Sequence, residues 1–147
     1  MLWLFDTNIF LRLAEKNNPL RQIILQALQI LRSRNETVCF TPQILSEFWN
    51  VCSRPVNARG GLGLSLTETD RKVSLIEKHF RLLPDNLATF QEWRKIVRDF
   101  GISGVQVHDA KLVASMTAYG VANLVTFNTK DFKRFPQITA VEPKNIT

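Results

Sequence analysis

"MLWLFDTNIF" (residues 1–10) sets an unbroken apolar run, Leu2-Trp3-Leu4-Phe5, directly against a carboxylate, Asp6. Four apolar residues without alternation read as a short strand buried on both faces, the kind a parallel sheet uses. "NLVTFNTKDF" (123–132) repeats the arrangement: an apolar run, then Asn128, with Asp131 just beyond. One polar residue after a buried strand says little. Several brought together from distant segments make a site.

Working outward, the spacing predicts a short helix from about Thr7 to Glu15. Pro19 stands where the next helix begins, and Leu20, Ile23, Ile24, Ala27, Leu28 and Leu31 then recur at helical spacing. "TVCFT" (37–41) reads as a second strand, and Thr41-Pro42 opens a helix to roughly Ser53. "RPVNARGGLGLSL" (54–66), with three glycines and two arginines, is a loop. Thr67 is expected to open a further helix, with Asp70 at the acidic position of a capping box. A short strand over 81–85 and a helix from the Asn86 cap to Phe100, closed by Gly101, come next. A helix from about His108 to Tyr119 and strands over 123–127 and 138–142 complete the chain. Short apolar strands alternating with helices predict an α/β fold, a central parallel β-sheet flanked by helices on both faces, as a single domain over residues 1–147. In such sheets ligands sit outside the carboxyl ends of the strands, where Asp6 and Asn128 fall.

The composition is globular, 45% hydrophobic and 22% charged, without a low-complexity tract. No apolar run approaches the ~20 residues of a transmembrane span, and Asp6 and Arg12 interrupt what a secretory signal would need. Cys39 and Cys52 have no metal-knuckle spacing and read as buried thiols. The expected location is the cytoplasm. Nineteen Lys and Arg against thirteen Asp and Glu leave a net charge of +6, which draws a domain toward polyanions such as nucleic acid.

Within the helix near His108, Asp109 shares a face with Leu112, Val113 and Met116, and Lys111, Ser115 and Ala118 fall on the other side. A carboxylate on an apolar face is costly unless paired or metal-bound. Glu47 borders the arc formed by Ile44, Leu45, Phe48, Val51 and Cys52, close enough to reach inward. Each residue has a bland alternative: Asp6 and Asp109 as helix caps, Glu47 as a surface glutamate, Asn128 as the cap of a short helix, Asp131 as a solvated turn residue. A parallel sheet, however, brings the segments of three of these four places to one edge, Asn128 and Asp131 counting as one place. Gathered carboxylates repel and need cations, and hard oxygen ligands select Mg²⁺ or Mn²⁺ over zinc. Such ions orient a water and neutralise charge on a phosphodiester in transit. An acidic pocket in a basic protein suits a metal-dependent nuclease. The two histidines, His79 and His108, lack metal-ligand spacing, and no G-x-S-x-G or Walker A motif occurs.

"LFDTNIFL", "SEFWNVCSRP" and "VHDAKLVASMTAYGVANLVTFNTKDF" together resemble the PIN-domain ribonucleases, particularly VapC-like toxins of toxin–antitoxin pairs, over almost the whole chain. The resemblance implies an α/β parallel-sheet fold, Mg²⁺ or Mn²⁺, and cleavage of RNA by activated water to leave a 5′-phosphate and a 3′-hydroxyl. It implies Asp6 and Asp109 as direct metal ligands and Glu47 as a ligand, directly or through water. Thr7 or Asn8 would orient a ligand or a phosphate oxygen. The chain departs from the family at the fourth acidic position, where Asn128 follows "TF"; Asp131 is the residue that could restore the charge. The expectation is one firm metal, with any second recruited with substrate. A cognate antitoxin and a homodimer are the implied protein partners, and no membrane is involved.

Charge and position add substrate-binding candidates: Lys111, two residues past Asp109; Lys130, Lys133 and Arg134 around Asp131; and Arg54 and Arg59 on the glycine-rich loop, which could fold over a bound strand. Trp49 and Trp93 read as core. The competing expectations are a non-catalytic or weakly active RNA-binding domain, favoured by Asn128, and a small-molecule phosphatase, disfavoured by the basic charge.

Overall fold

A computed structural model describes all residues, Met1–Thr147. The chain alternates strands and helix pairs: β1 (Leu2–Phe5), α1 (Thr7–Ala14), α2 (Arg21–Ser33), β2 (Thr37–Phe40), α3 (Pro42–Ser53), α4 (Leu66–His79), β3 (Arg81–Leu82), α5 (Leu87–Asp99), α6 (Gln106–Ala118), β4 (Asn123–Val125) and β5 (Thr139–Val141). Short 3₁₀ turns at Thr129–Phe132 and Pro143–Asn145 join or follow the last strands. Every strand pairing is parallel. The strand order is β3-β2-β1-β4-β5.

That order reverses beside β1. The chain winds β1 to β2 to β3 in one direction, crosses back, and continues with β4 and β5 on the other side. Right-handed crossovers place the helices of the first half on one face of the sheet and α5 and α6 on the other. The helix contacts agree: α1 packs on α2 and α3, α3 packs on α4, and α5 pairs with α6. The crevice between the carboxyl ends of β1 and β4 is the topological switch point, where open α/β sheets bind ligands.

One continuous apolar core of 32 buried residues holds the layers together, with Leu4, Phe5, Leu124 and Val125 of the central strands fully enclosed. Burying one such Leu or Phe side chain stabilises by roughly 1.5–3 kcal/mol. The thiols of Cys39 and Cys52 are both buried in this core, and burial pushes Cys39 up to about 12.

Local chemistry differs from expectation in four places. The cap of α4 is Ser65, whose hydroxyl accepts from the Glu68 amide at 3.1 Å, so the helix is capped two residues before Thr67 and Asp70 closes no capping box. Helix α6 starts at Gln106 with no side-chain cap, which puts Asp109 in its first turn and removes the capping role considered for it. Ser115 lies inside, because α6 is buried nearly all round between α5 and the sheet. The glycine-rich loop is no free flap. The Leu62 and Leu64 amides bond back to the Val51 and Cys52 carbonyls at 3.0 and 2.9 Å. Gly61 is packed so tightly that a Cβ there would sit 2.3 Å from the Pro55 carbonyl oxygen.

Candidate active site

Asp6 leaves β1 at the switch point and caps α1. Its Oδ1 accepts the Thr7 amide at 2.8 Å, and its Oδ2 accepts the Thr126 hydroxyl at 2.7 Å and the Asn8 Nδ2 at 3.2 Å. The capping role considered for Asp6 is therefore observed, with its second oxygen held by side chains of the switch point. Strand pairing does the positioning: the Asp6 amide donates to the Val125 carbonyl at 3.0 Å, which sets the end of β1 beside the end of β4.

Thr126, just past β4, holds this corner together. Fully buried, its hydroxyl donates to Asp6 and accepts from Asn8 Nδ2 at 3.2 Å and from the Asn128 amide at 3.0 Å. One donor and two acceptor lone pairs are all a hydroxyl has. Asn8 closes the loop, its Oδ1 accepting the Phe127 amide at 3.3 Å. Asn8 and Thr7 thus serve as struts behind the carboxylates. Thr7 Oγ1 donates to Glu47 Oε2 at 2.7 Å, tying the start of α1 to α3.

Glu47 is held from its other side by Gln43, one helical turn earlier. Gln43 Nε2 donates to Glu47 Oε1 at 3.0 Å and to the His108 carbonyl at 3.0 Å. This single amide links α3 to the first turn of α6, one residue before Asp109. Thr126 and Gln43, which hold the carboxylates Asp6 and Glu47, are residues that sequence reasoning passed over. The signals were present: Thr126 ends β4 as Asp6 ends β1, and Gln43 stands at i−4 from Glu47, where helix side chains meet.

The charges feel one another. Burial raises Asp6, the hydrogen bonds from Thr126 and Thr7 pull it down, and the neighbouring Glu47 and Asp131 raise it again; burial wins. Asp109 is pushed up to about 6, first by burial, then by Asp131, Asp6 and Glu47, with only His108 opposing. Asp131, exposed on the 3₁₀ turn after β4, is the strongest charged neighbour of Asp109. The fourth negative charge of the cluster therefore comes from Asp131, while Asn128 is exposed and its side chain caps nothing.

No three Asp, Glu, His or Cys side chains close into a ready-made cage. Magnesium does not require one, since it takes one or two carboxylates and completes its shell with water and phosphate. The donor set, all carboxylate oxygen with mutual repulsion to relieve, fits a hard divalent cation.

The basic candidates are dispersed. Lys111 turns toward α5, 3.7 Å from the Asp85 carboxylate. Lys130 and Lys133 are exposed on or beside the Asp131 turn. Arg134 is engaged with the Gln106 side chain and the Phe100 carbonyl. Arg54 ends α3 two turns beyond Glu47, about 10 Å along the axis, and Arg59 is exposed on the knitted loop. His79 ends α4 on the surface. A larger cleft, about 610 Å³, lies away from the acids, between α1, α2 and α4. No helix is long and apolar enough to cross a membrane.

Known structures share this architecture. The VapBC2 complex from Rickettsia felis, solved bound to a promoter DNA fragment, aligns at 19% identity over 97% of this chain and 98% of that chain, with a TM-score of 0.71. A toxin–antitoxin complex from Klebsiella pneumoniae aligns at 19% identity, covering 95% and 96%, with a TM-score of 0.65. VapC20 from Mycobacterium tuberculosis, a toxin that cleaves the sarcin–ricin loop, aligns at 17% identity, covering 88% and 92%, with a TM-score of 0.60. At these identities the likeness is one of fold. No curated protein matches the sequence. The PIN-domain family model, however, matches residues 3–138, nearly the full chain. With its sheet order, switch-point acids and this match, the chain belongs to the PIN-domain family.

Proposed function

We propose that this protein is a metal-dependent endoribonuclease acting as the toxin of a toxin–antitoxin pair, with its active centre at the switch point. PIN-domain proteins are typically nucleases that use divalent metals. The observation that carries the reading is the convergence of Asp6, Glu47 and Asp109 from three distant segments, with Asp131 adding to their field.

Asp6 and Asp109 would hold the cation, with Glu47 bound directly or through water. When bound, the cation supplies positive charge against the scissile phosphate and acidifies a water. The chain supplies the geometry. Thr7, Asn8 and Thr126 fix the Asp6 rotamer; Thr7 and Gln43 fix Glu47. Fixed carboxylates need no reorganisation as charge develops at phosphorus. Water oxygen attacks phosphorus in line, the P–O3′ bond breaks, and the products carry a 5′-phosphate and a 3′-hydroxyl. Asn128 brings no charge to hold a second ion firmly, so Asp6, Asp109 and Glu47 would hold one ion, and a second would need the substrate's phosphate as a ligand. Lys130 and Lys133 would meet the RNA backbone beside the acids.

A protein partner would find its footing in the 610 Å³ cleft, whose apolar floor includes Phe10, Leu28 and Phe80 and whose rim carries Lys16, Arg32 and Lys72. That combination suits an amphipathic helix with acidic flanks. The relatives crystallised as VapBC and toxin–antitoxin complexes support a two-chain system.

The test is cleavage of a labelled structured RNA with Mg²⁺, with Mn²⁺ and with chelator, beside an identically purified Asp109→Asn variant. Metal-dependent cutting by the wild type alone is expected. Equal cutting by both proteins would trace the activity to a contaminant. RNA binding without cutting would favour the non-catalytic RNA-binding reading that Asn128 suggests.

A further inference from the structure

A second cleft, of about 350 Å³, opens between α5 and α6, lined by Asp85, Asn86, Thr89, Phe90, Trp93 and Lys111. Two of its walls are aromatic. Phe90 leaves 56% of its surface in water, with the Trp93 ring 6.3 Å away and tilted by 38°. Trp93 cannot swing away, because its indole N–H donates to the Val107 carbonyl at 3.0 Å. Hydrogen-bonding groups make the remainder. Asn86 Nδ2 donates one hydrogen to Tyr119 Oη at 3.1 Å and keeps another, and the Asp85 carboxylate and Lys111 ammonium face each other, both half-exposed.

The position matters as much as the lining. Val107 precedes Asp109 by two residues and Lys111 follows it by two, so the cleft shares a turn of α6 with the acids. Two residues span about 3 Å of rise and about 200° of rotation. The cleft therefore lies on the α5 side of the same turn whose opposite side carries Asp109. A chain crossing the start of α6 would reach both.

We propose that the Phe90–Trp93 cleft is a base-stacking subsite that takes one unpaired nucleobase of single-stranded RNA, with Lys111 on the adjoining phosphate. The proposal rests on the reading of the acidic edge as an RNA-cleaving centre. The cleft volume stands at the small end of ligand sites, roughly 300 Å³ upward, right for one planar heterocycle and its sugar. Stacking on an aromatic face tolerates any base and changes affinity by about five- to a hundred-fold. The Asp85–Lys111 pair is solvent-exposed and weak, so the ammonium can change partners. A second copy of this chain is the other occupant to weigh, but interface cores are depleted of charge, and here a carboxylate and an ammonium share the cleft with the rings.

The experiment measures binding of fluorescein-labelled, mixed-sequence single-stranded RNA, and of its blunt duplex, to the cutting-deficient Asp109→Asn chain by anisotropy. Phe90→Ala and Phe90→Tyr are then added to that chain, and sedimentation gives the mass of each protein. Phe90→Ala is expected to weaken single-strand binding about five- to a hundred-fold, Phe90→Tyr to restore it, and duplex binding to stay unchanged. Unaltered single-strand binding by Phe90→Ala would overturn the subsite. So would a loss that coincides with a dimer becoming a monomer, which would assign the ring to a protein interface. Absence of RNA binding before any Phe90 substitution would overturn the subsite together with the ribonuclease reading on which it rests.

Discussion

The acidic edge and the cationic-rimmed cleft share two helices, α1 and α3, and differ in nearly every other respect. Helix α1 begins at the acids with Thr7 and ends in the cleft with Leu13 and Ala14. Helix α3 sends Glu47 to the acids and its neighbour Phe48 to the cleft. At the edge, side-chain hydrogen bonds tie distant segments together, Thr7 to Glu47, Asn8 to Thr126 and Thr126 to Asp6. In the cleft the floor is apolar, and the polar contacts serve the backbone: Arg21 Nε and Lys72 Nζ each donate at 3.0 Å to the last carbonyls of α1, Leu13 and Ala14. Those carbonyls have no intrahelical partner. The 610 Å³ cavity thus stands apart from the gathered carboxylates.

Substitution should separate the two regions. The largest effect belongs to Asp6→Asn, which removes a charge at the switch point while leaving the core intact. RNA cleavage should fall by on the order of 10²–10³-fold, the several kcal/mol of charge stabilisation a site metal supplies. Unchanged circular dichroism would confirm that the fold survives. Gln43→Met follows: it keeps the length of the side chain but releases Glu47 and the start of α6. A loss of about ten- to a hundred-fold is expected, as for residues that orient ligands, with hydrogen exchange at the His108 and Asp109 amides rising in parallel. If cleavage falls while exchange there stays constant, Gln43 does not act by positioning.

A smaller effect, opposite in sign, concerns stability. Asp109 carries a folded-state value of about 6 against 3.8 for the free group. The native state therefore holds more protons than the unfolded chain between those values, and stability declines as pH rises through that window. Without divalent metal, Asp109→Asn should be more stable than wild type at pH 7 by on the order of 1 kcal/mol, after allowance for partial solvent screening. The gain should shrink toward zero as pH falls to about 4. Thermal melts at the two pH values decide it, and a destabilised variant at pH 7 would contradict the electrostatic account. The smallest change is expected from Leu75→Glu, at a cleft residue half in water. Cleavage and melting should stay near wild type while capture of an acidic partner helix weakens. Loss of cleavage here would erase the distinction between the regions.

The layered fold was legible because buried strands announce themselves: Leu2–Phe5 needs no partner to be recognised. The strand order was not, since pairing depends on crossovers and not on local pattern. With the order in hand, the switch point follows at once. Asp6, Glu47 and Asp109 were readable as carboxylates set against apolar arcs. Thr126 and Gln43 were not singled out, because an uncharged side chain after a strand or on a helix becomes informative only when its partner is known. The cap of α4 shifted by two residues because Ser65 and Thr67 are both good caps, and Glu68 and Asp70 both acidic, so local chemistry could not rank the registers. Asp131 differs again: its position three residues after Asn128 suggested it as a substitute charge, and it is the strongest in effect of the charged neighbours that raise Asp109.

The most direct measurement is a calorimetric titration of Mn²⁺ into the metal-free chain without RNA, repeated with Asp6→Asn and Asp109→Asn. One firm site is expected in the wild type, weakened at least about tenfold by either substitution. Two tight independent sites, or an affinity indifferent to both substitutions, would contradict a cation centre built on these carboxylates.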